Sequence, residues 1–160
     1  MIRRQSVICR SARSMLASGL LASLMTATTP VAVRAETAAV PDGYQLSLLI
    51  YATLTALDQA NTTGNYSVLR DLAAPDFQRL NPAQKLAGIF AKYRERHVVL
   101  APVVLYQPRL IEEPSVGPAG LLHLKGFFPT KPLRIAFDLS YQAVGGNWRL
   151  MALSISPSEG

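Results

Sequence analysis

The last third of the chain constrains the fold most tightly. Residues 133–155 read LRIAFDLSYQAV, GGN and WRLMALSI, two apolar runs around a turn. Ile135, Phe137, Leu139 and Tyr141 alternate with Ala136, Asp138, Ser140 and Gln142, the period-two pattern of a strand with one buried face. Gly145, Gly146 and Asn147 accept positive φ, as a tight hairpin turn requires. The returning strand carries Trp148, Leu150 and Ala152 on one face, with Arg149, Met151, Leu153 and Ile155 on the other. A turn at Gly145-Gly146 sets Tyr141 opposite Leu150 and Gln142 opposite Arg149; a turn at Gly146-Asn147 shifts those partners. The second strand is apolar on both sides. Met151, Leu153 and Ile155 are therefore expected to form a second buried surface, such as a homodimer contact through the sheet face.

The segment before the hairpin must cover its apolar face. Tyr44 to Gln59 places Leu46, Leu49, Ile50, Leu54 and Leu57 at helical spacing. Thr62-Thr63-Gly64-Asn65 breaks that helix, and Asn65 or Ser67 can cap a short second one with Leu69 and Leu72 inward, ended by Pro75. Asn81 as N-cap and Pro82 at the first position open a third helix, whose stripe is Leu86, Ile89, Phe90 and Tyr93. Lys92, Arg94, Arg96 and His97 fall in its last turn, where positive charge opposes the helix dipole. Val98 to Tyr106 is β-branched and reads as a strand, although Pro102 confines it to an edge or a bulge. After a short run at Arg109 to Glu112 and a loop at Pro114 to Pro118, Leu121 to Phe128 alternates again. Leu122, Leu124 and Phe128 share one face of it, His123, Lys125 and Phe127 the other. The expected fold is α+β: three N-terminal helices packed on a mostly antiparallel sheet of about four strands.

The net charge of +6 suggests nucleic acid until its location is read. Five of the sixteen Lys and Arg, namely Arg3, Arg4, Arg10, Arg13 and Arg34, lie in the first 35 residues around an apolar run from Met15 to Ala27. With Val33-Arg34-Ala35 behind it, this is the pattern of a Sec-type signal peptide cut after Ala35. The run is interrupted by Ser18, Gly19, Ser23 and Thr26 and is shorter than a bilayer span, so no stable membrane anchor is expected. Cleavage leaves eleven basic against ten acidic residues, a net of +1, and no basic patch for nucleic acid. It also removes Cys9, the single cysteine, and with it any disulfide or thiol chemistry. The reading is a periplasmic or secreted protein with a cleavable leader at 1–35, a loose tail at 36–43 and one domain at 44–157.

ALDQANTTGNYSVLRDLAAPDF at 56–77 and YQAVGGNWRLMALSI at 141–155 resemble the NTF2-like (SnoaL-like, cystatin-like cone) superfamily. The likeness lies in a first helix, a Gly-Asn-Tyr step, a short second helix with Pro-Asp-Phe, and a last strand opening on Trp-Arg-Leu. It implies a strongly curved sheet wrapped around a long first helix, with a conical pocket between them. The superfamily includes isomerases, dehydratases, polyketide cyclases, carriers and protein-interaction modules, so fold alone does not select an activity.

Enzymes of that kind place Asp, His or Tyr inside the cone to move a proton beside a carbonyl. The candidates here are Tyr51, Asp58 and Tyr141, in an isomerase- or dehydratase-type reading. Tyr93, His97, Tyr106, His123 and Asp138 also titrate. His123 and Asp138 run out of phase with the apolar residues of their strands, which favours a cross-strand polar contact. His97 at a helix end is expected to face solvent or the dipole. Two isolated His and no close carboxylate cluster provide no metal-ligand spacing, and no phosphate loop or serine-nucleophile motif implies a cofactor. The expected pocket wall is Leu54, Tyr93, Phe137, Tyr141 and Trp148, largely apolar. That favours binding of a small apolar ligand or an envelope partner protein over catalysis.

Overall fold

Helix α1, Gly43–Thr63, begins where the Asp42 carboxylate accepts from the Gln45 N–H at 2.8 Å and ends on Gly64. Its 21 residues span about 32 Å, and Leu46, Ile50, Leu54, Leu57 and Ala60 bury one stripe. The computed structural model describes residues 39–159; the expected leader and residues 36–38 of the tail lie outside them. No helix among the described residues is long and apolar enough to cross a membrane.

Four short helices follow: α2 Ser67–Asp71, α3 Pro75–Leu80, α4 Ala83–Ile89 and α5 Ala91–Glu95. Asn65 Oδ1 accepts from the Ser67 N–H and starts α2. Pro75, expected as a stop, occupies the first turn of α3, where a missing N–H costs nothing. Asn81, expected as an N-cap, instead donates its amide to Phe77 O and closes α3. The expected third helix breaks at Phe90 (φ −94°, ψ 10°) into α4 and α5. Phe90 is buried there, stacked on Tyr66 at 5.9 Å and meeting Tyr93 edge-on at 5.6 Å. That turn leaves Ile89 exposed rather than in the stripe, and Leu72 is likewise exposed while Leu69 is buried.

Val98 to Tyr106 is not a strand. Residues Ala101–Leu105 form a 3₁₀ turn with Pro102 near its start, where a proline is tolerated. The preceding N–H groups of Leu100 and Ala101 donate to Asp58 Oδ1 at 2.7 and 3.1 Å. Leu100 and Val103 bury against the core.

The sheet has β1 Arg109–Leu110, β2 Ser115–Val116, β3 Leu121–Phe128, β4 Leu133–Val144 and β5 Asn147–Glu159. All pairings are antiparallel, in the order β1-β3-β4-β5, with β2 also against β3. β1 and β2 act as one edge strand interrupted around Pro114, which is why about four strands become five; β2 lies in the segment expected as a loop. The architecture is thus α+β, with helices over residues 43–95 in the middle of the chain and an open antiparallel sheet after them.

At Gly126 the edge strand approaches too closely for a side chain. A Cβ there would overlap the Arg109 carbonyl oxygen and lie 2.8 Å from Phe137 Cζ.

The hairpin turns at Gly145-Gly146 (φ 58° and 79°), pairing Val144 with Asn147, Tyr141 with Leu150 and Gln142 with Arg149. Beyond that the register shifts, because Ser140 pairs with Ala152 and Met151 is the extra residue of a β-bulge. The bulge exchanges the faces of β5. Leu150 faces the core before it; Leu153 and Ile155, opposite Leu139 and Phe137, face the core after it. Ile155 is buried, and Met151 and Leu153 are half-buried against the chain's own core. Of the stripe expected to meet a second copy, Ile155 is taken up by the chain's own core, while Met151 and Leu153 stay half-buried and, with the exposed Ala152, line a cavity beside Phe77, Leu86 and Phe90. Two carbonyls of β5, an edge strand, accept from the helical layer: Leu150 O from the Ala74 N–H at 2.8 Å and Ile155 O from the Tyr93 hydroxyl.

Candidate functional sites

Two cavities flank α1. The smaller, about 180 Å³, lies between α1, α2 and the hairpin. Leu49, Ala52 and Ala56 form one wall, Leu69 and Leu72 a second, and Tyr141, Trp148 and Leu150 the third. Its surface is mostly carbon because each element turns its apolar side inward here. Trp148 is half-buried and Leu72 largely exposed, so both stand at the rim. The Tyr141 hydroxyl, beside this pocket, donates to Leu49 O and meets Thr53 Oγ1, each at 2.9 Å. Burial raises its pKa well above the usual tyrosine value, and the Thr53 hydrogen bond offsets only part of that rise.

The expected pocket residues divide between places. Tyr141 and Trp148 line this apolar cavity. Leu54 and Phe137 lie in the solid core, where the Phe137 ring packs on Phe128 at 5.6 Å. Tyr93 lines the second cavity instead. The acid–base candidates do not converge either. The Tyr51 hydroxyl donates to Tyr106 O at 2.7 Å, Asp58 accepts from Leu100 and Ala101, and Tyr141 bonds α1. Each polar group is occupied with a different piece of backbone.

The second cavity, about 460 Å³, opens between α1 and α5. Asp58, Asn61 and Thr62 line it from α1; Tyr93, Arg94, His97 and the residues that follow line the other side. Arg94 Nη1 donates to the Tyr66 hydroxyl at 2.6 Å, and that hydroxyl donates to Asn61 Oδ1 at 2.5 Å. Asn61 Nδ2 is buried with no hydrogen-bond partner among the described residues. Such an orphaned donor costs about 1–3 kcal/mol. The Tyr93 hydroxyl, half-buried on this wall, has its pKa raised by burial, partly offset by the Arg96 charge. His97 is exposed at the cavity, with a φ of 49° that is uncommon outside glycine. Sequence reasoning placed Arg94 and His97 at a helix end and passed over Asn61. An asparagine three residues before a helix-ending glycine carries no sign of whether its amide is buried.

On the outer face of the sheet the polar residues pair across strands. His123 Nδ1 lies 3.1 Å from Ser140 Oγ, as the phase of its strand suggests. Lys125 stands opposite Asp138 but bonds Glu112 at 2.9 Å, and that bond, with the Glu112 charge, raises the lysine pKa. No group of three or more His, Cys, Asp or Glu that could hold a metal occurs among the described residues.

No family model, curated protein or solved structure matches this chain.

Proposed function

We propose that this chain is an exported NTF2-like domain of the cell envelope, periplasmic or secreted, that binds a small apolar ligand without transforming it. The observation that carries this reading is the apolar cavity between α1, α2 and the hairpin, with Trp148 and Leu72 at its rim. The long α1, the antiparallel sheet after it and the bulge opposite Ser140 and Tyr141 support the cone assignment, since a bulge bends a strand and strengthens its twist. A binding role is favoured over an isomerase or dehydratase because Tyr51, Asp58 and Tyr141 are each committed to separate hydrogen bonds. The occupant is a compact hydrocarbon or ring, since about 180 Å³ of mostly carbon-lined space leaves little for polar groups to bond.

Trp148 is the single tryptophan of the chain and reports directly on this pocket. Titration with the neutral probe N-phenyl-1-naphthylamine should quench its emission saturably. Ala52→Phe, at an exposed position on the rim, should abolish that quenching and leave the unfolding midpoint nearly unchanged. Saturable binding that survives Ala52→Phe would place the ligand elsewhere. Quenching only by an envelope protein would make the occupant an apolar side chain of a partner.

A further inference from the structure

Two residues that line the apolar cavity between α1, α2 and the hairpin bear hydroxyls, Thr53 and Tyr141. Each hydroxyl has one hydrogen to give and two lone pairs to receive with. The Leu49 carbonyl can only accept, so the Tyr141 hydrogen goes to Leu49 O at 2.9 Å. The 2.9 Å contact between the Tyr141 oxygen and Thr53 Oγ1 is then donated by Thr53. Both hydrogens are thereby used. Thr53 Oγ1 keeps its two lone pairs and receives no donor among the described residues.

The position of Thr53 turns that oxygen's side chain to the cavity. Leu49, Thr53 and Ala56 follow one another at helical spacing along α1 and line the cavity together. Thr53 keeps 7 % of its surface exposed, whereas Leu54 and Leu57 of the same helix are fully enclosed. Leu69, Leu72 and Leu150 supply only carbon from the facing walls, and the Trp148 indole stands at the rim. An occupant therefore meets apolar side chains and an oxygen that only accepts. A carbonyl or ether placed there sets lone pair against lone pair. A plain hydrocarbon strips water from the oxygen and returns nothing for it. A hydroxyl or N–H on an otherwise apolar ring fills the lone pair and keeps the rest of the ligand against carbon.

We infer that the ligand of this cavity is an apolar ring bearing a single hydrogen-bond donor, as a substituted phenol or an indole does, and that the donor's hydrogen goes to Thr53 Oγ1. That donor is the one polar group added to the apolar ligand proposed above, on whose reading it rests. The cavity of about 180 Å³ leaves room for one substituted ring.

The test uses the full chain and competition against bound N-phenyl-1-naphthylamine. The competitors are para-cresol, para-methylanisole and toluene, which share a ring; the ether caps the phenol hydrogen and toluene lacks the oxygen. Cresol should displace the naphthylamine at a concentration at least about threefold below that of either of the others, the effect of one net hydrogen bond. Because the ether is larger than cresol and toluene smaller, a limit on size cannot produce that order. Thr53→Val keeps the side-chain shape without the oxygen; it should bring the three competitors within about twofold of one another and leave the affinity for toluene unchanged. Thr53→Ser should retain the preference for cresol. Equal displacement by all three in the wild-type chain, or an order that puts the ether first, would overturn the donor and leave the apolar pocket standing. A preference for cresol that survives Thr53→Val would overturn the assignment to Thr53. If neither the naphthylamine nor toluene binds saturably, the pocket reading falls and the donor with it.

Discussion

Gly126 shows how a single residue can decide whether the edge of the sheet closes. It lies in β3 opposite Leu110 and Phe137, and its missing Cβ is the space taken by the Arg109 carbonyl and the Phe137 ring. Gly126→Ala should destabilise the chain by about 1–3 kcal/mol, the usual cost of overpacking a dense core, read as a lower urea midpoint. Because one of the overlapping atoms belongs to the backbone, side-chain repacking cannot absorb the methyl. A midpoint equal to wild type would mean that β1 separates from β3 at little cost. Asn61 and Tyr141 illustrate the opposite relation between burial and polarity. Tyr141 is buried with its hydroxyl bonded, while Asn61 is buried with half its amide unbonded. The first group secures α1 to the sheet; the second leaves an N–H without a partner among the described residues, in the packed layer between α1 and α5.

At the scale of elements, the bulge at Met151 has the widest consequence. Were Met151 paired regularly, Leu153 and Ile155 would be out of phase with Leu150 and would face away from the helices, since side chains alternate along a strand. Deletion of Met151 removes the extra residue itself, so Ala152 follows Leu150 directly and the regular ladder still sets Leu153 and Ile155 opposite Leu139 and Phe137, facing the core. The deleted chain should therefore still unfold cooperatively as a monomer, at a lower urea midpoint for the lost half-buried side chain and the lost bend, measured by denaturation and sedimentation. Loss of cooperative unfolding or self-association would show that the bend of the bulge, and not only the phase of β5, organises the core. Three short helical segments owe their bounds to similar non-local demands. α4 and α5 part at Phe90 because that ring is taken up by Tyr66 and Tyr93, and the 3₁₀ turn at Ala101–Leu105 is held at its start by Asp58 from α1.

For the molecule as a whole, stability should depend on pH in the alkaline range. Tyr141 is buried, and its folded pKa is raised above the usual value near 10. Above about pH 10 the unfolded chain releases that proton while the folded chain retains it, so the folded state binds more protons and stability falls as pH rises. Tyr93 acts in the same direction through its own burial. Lys125, raised by Glu112, also does so, because its favourable charge is lost as pH rises through its folded pKa. Urea midpoints measured from about pH 8 to 11.5 should decline, with the slope in Tyr141→Phe reduced by about one proton. That variant should also lose about 1–2 kcal/mol at neutral pH, since Thr53 and Leu49 lose a hydrogen-bond partner. Parallel slopes in the two proteins would show that Tyr141 titrates in the folded state as it does when unfolded.

The division between what was legible in the sequence and what was not follows the range of the interactions involved. Period-two alternation in Leu121–Phe128 and Leu133–Val144, the glycine turn and the apolar stripe of α1 are local patterns. They were sufficient for α+β with an antiparallel sheet and for His123 on the outer face, but left two hairpin registers open, of which the one pairing Tyr141 with Leu150 is formed. The phase change in β5, the break at Phe90 and the helical turn at Ala101–Leu105 were not legible, because each depends on a contact with a residue distant in sequence. The same holds for the candidate sites. Trp148 and Tyr141 could be assigned to an apolar wall from their strand faces. The Arg94, Tyr66 and Asn61 chain joins three helical segments, and only the packing of α5 against α1 brings those groups together, because neither helix by itself determines where the other's polar ends lie.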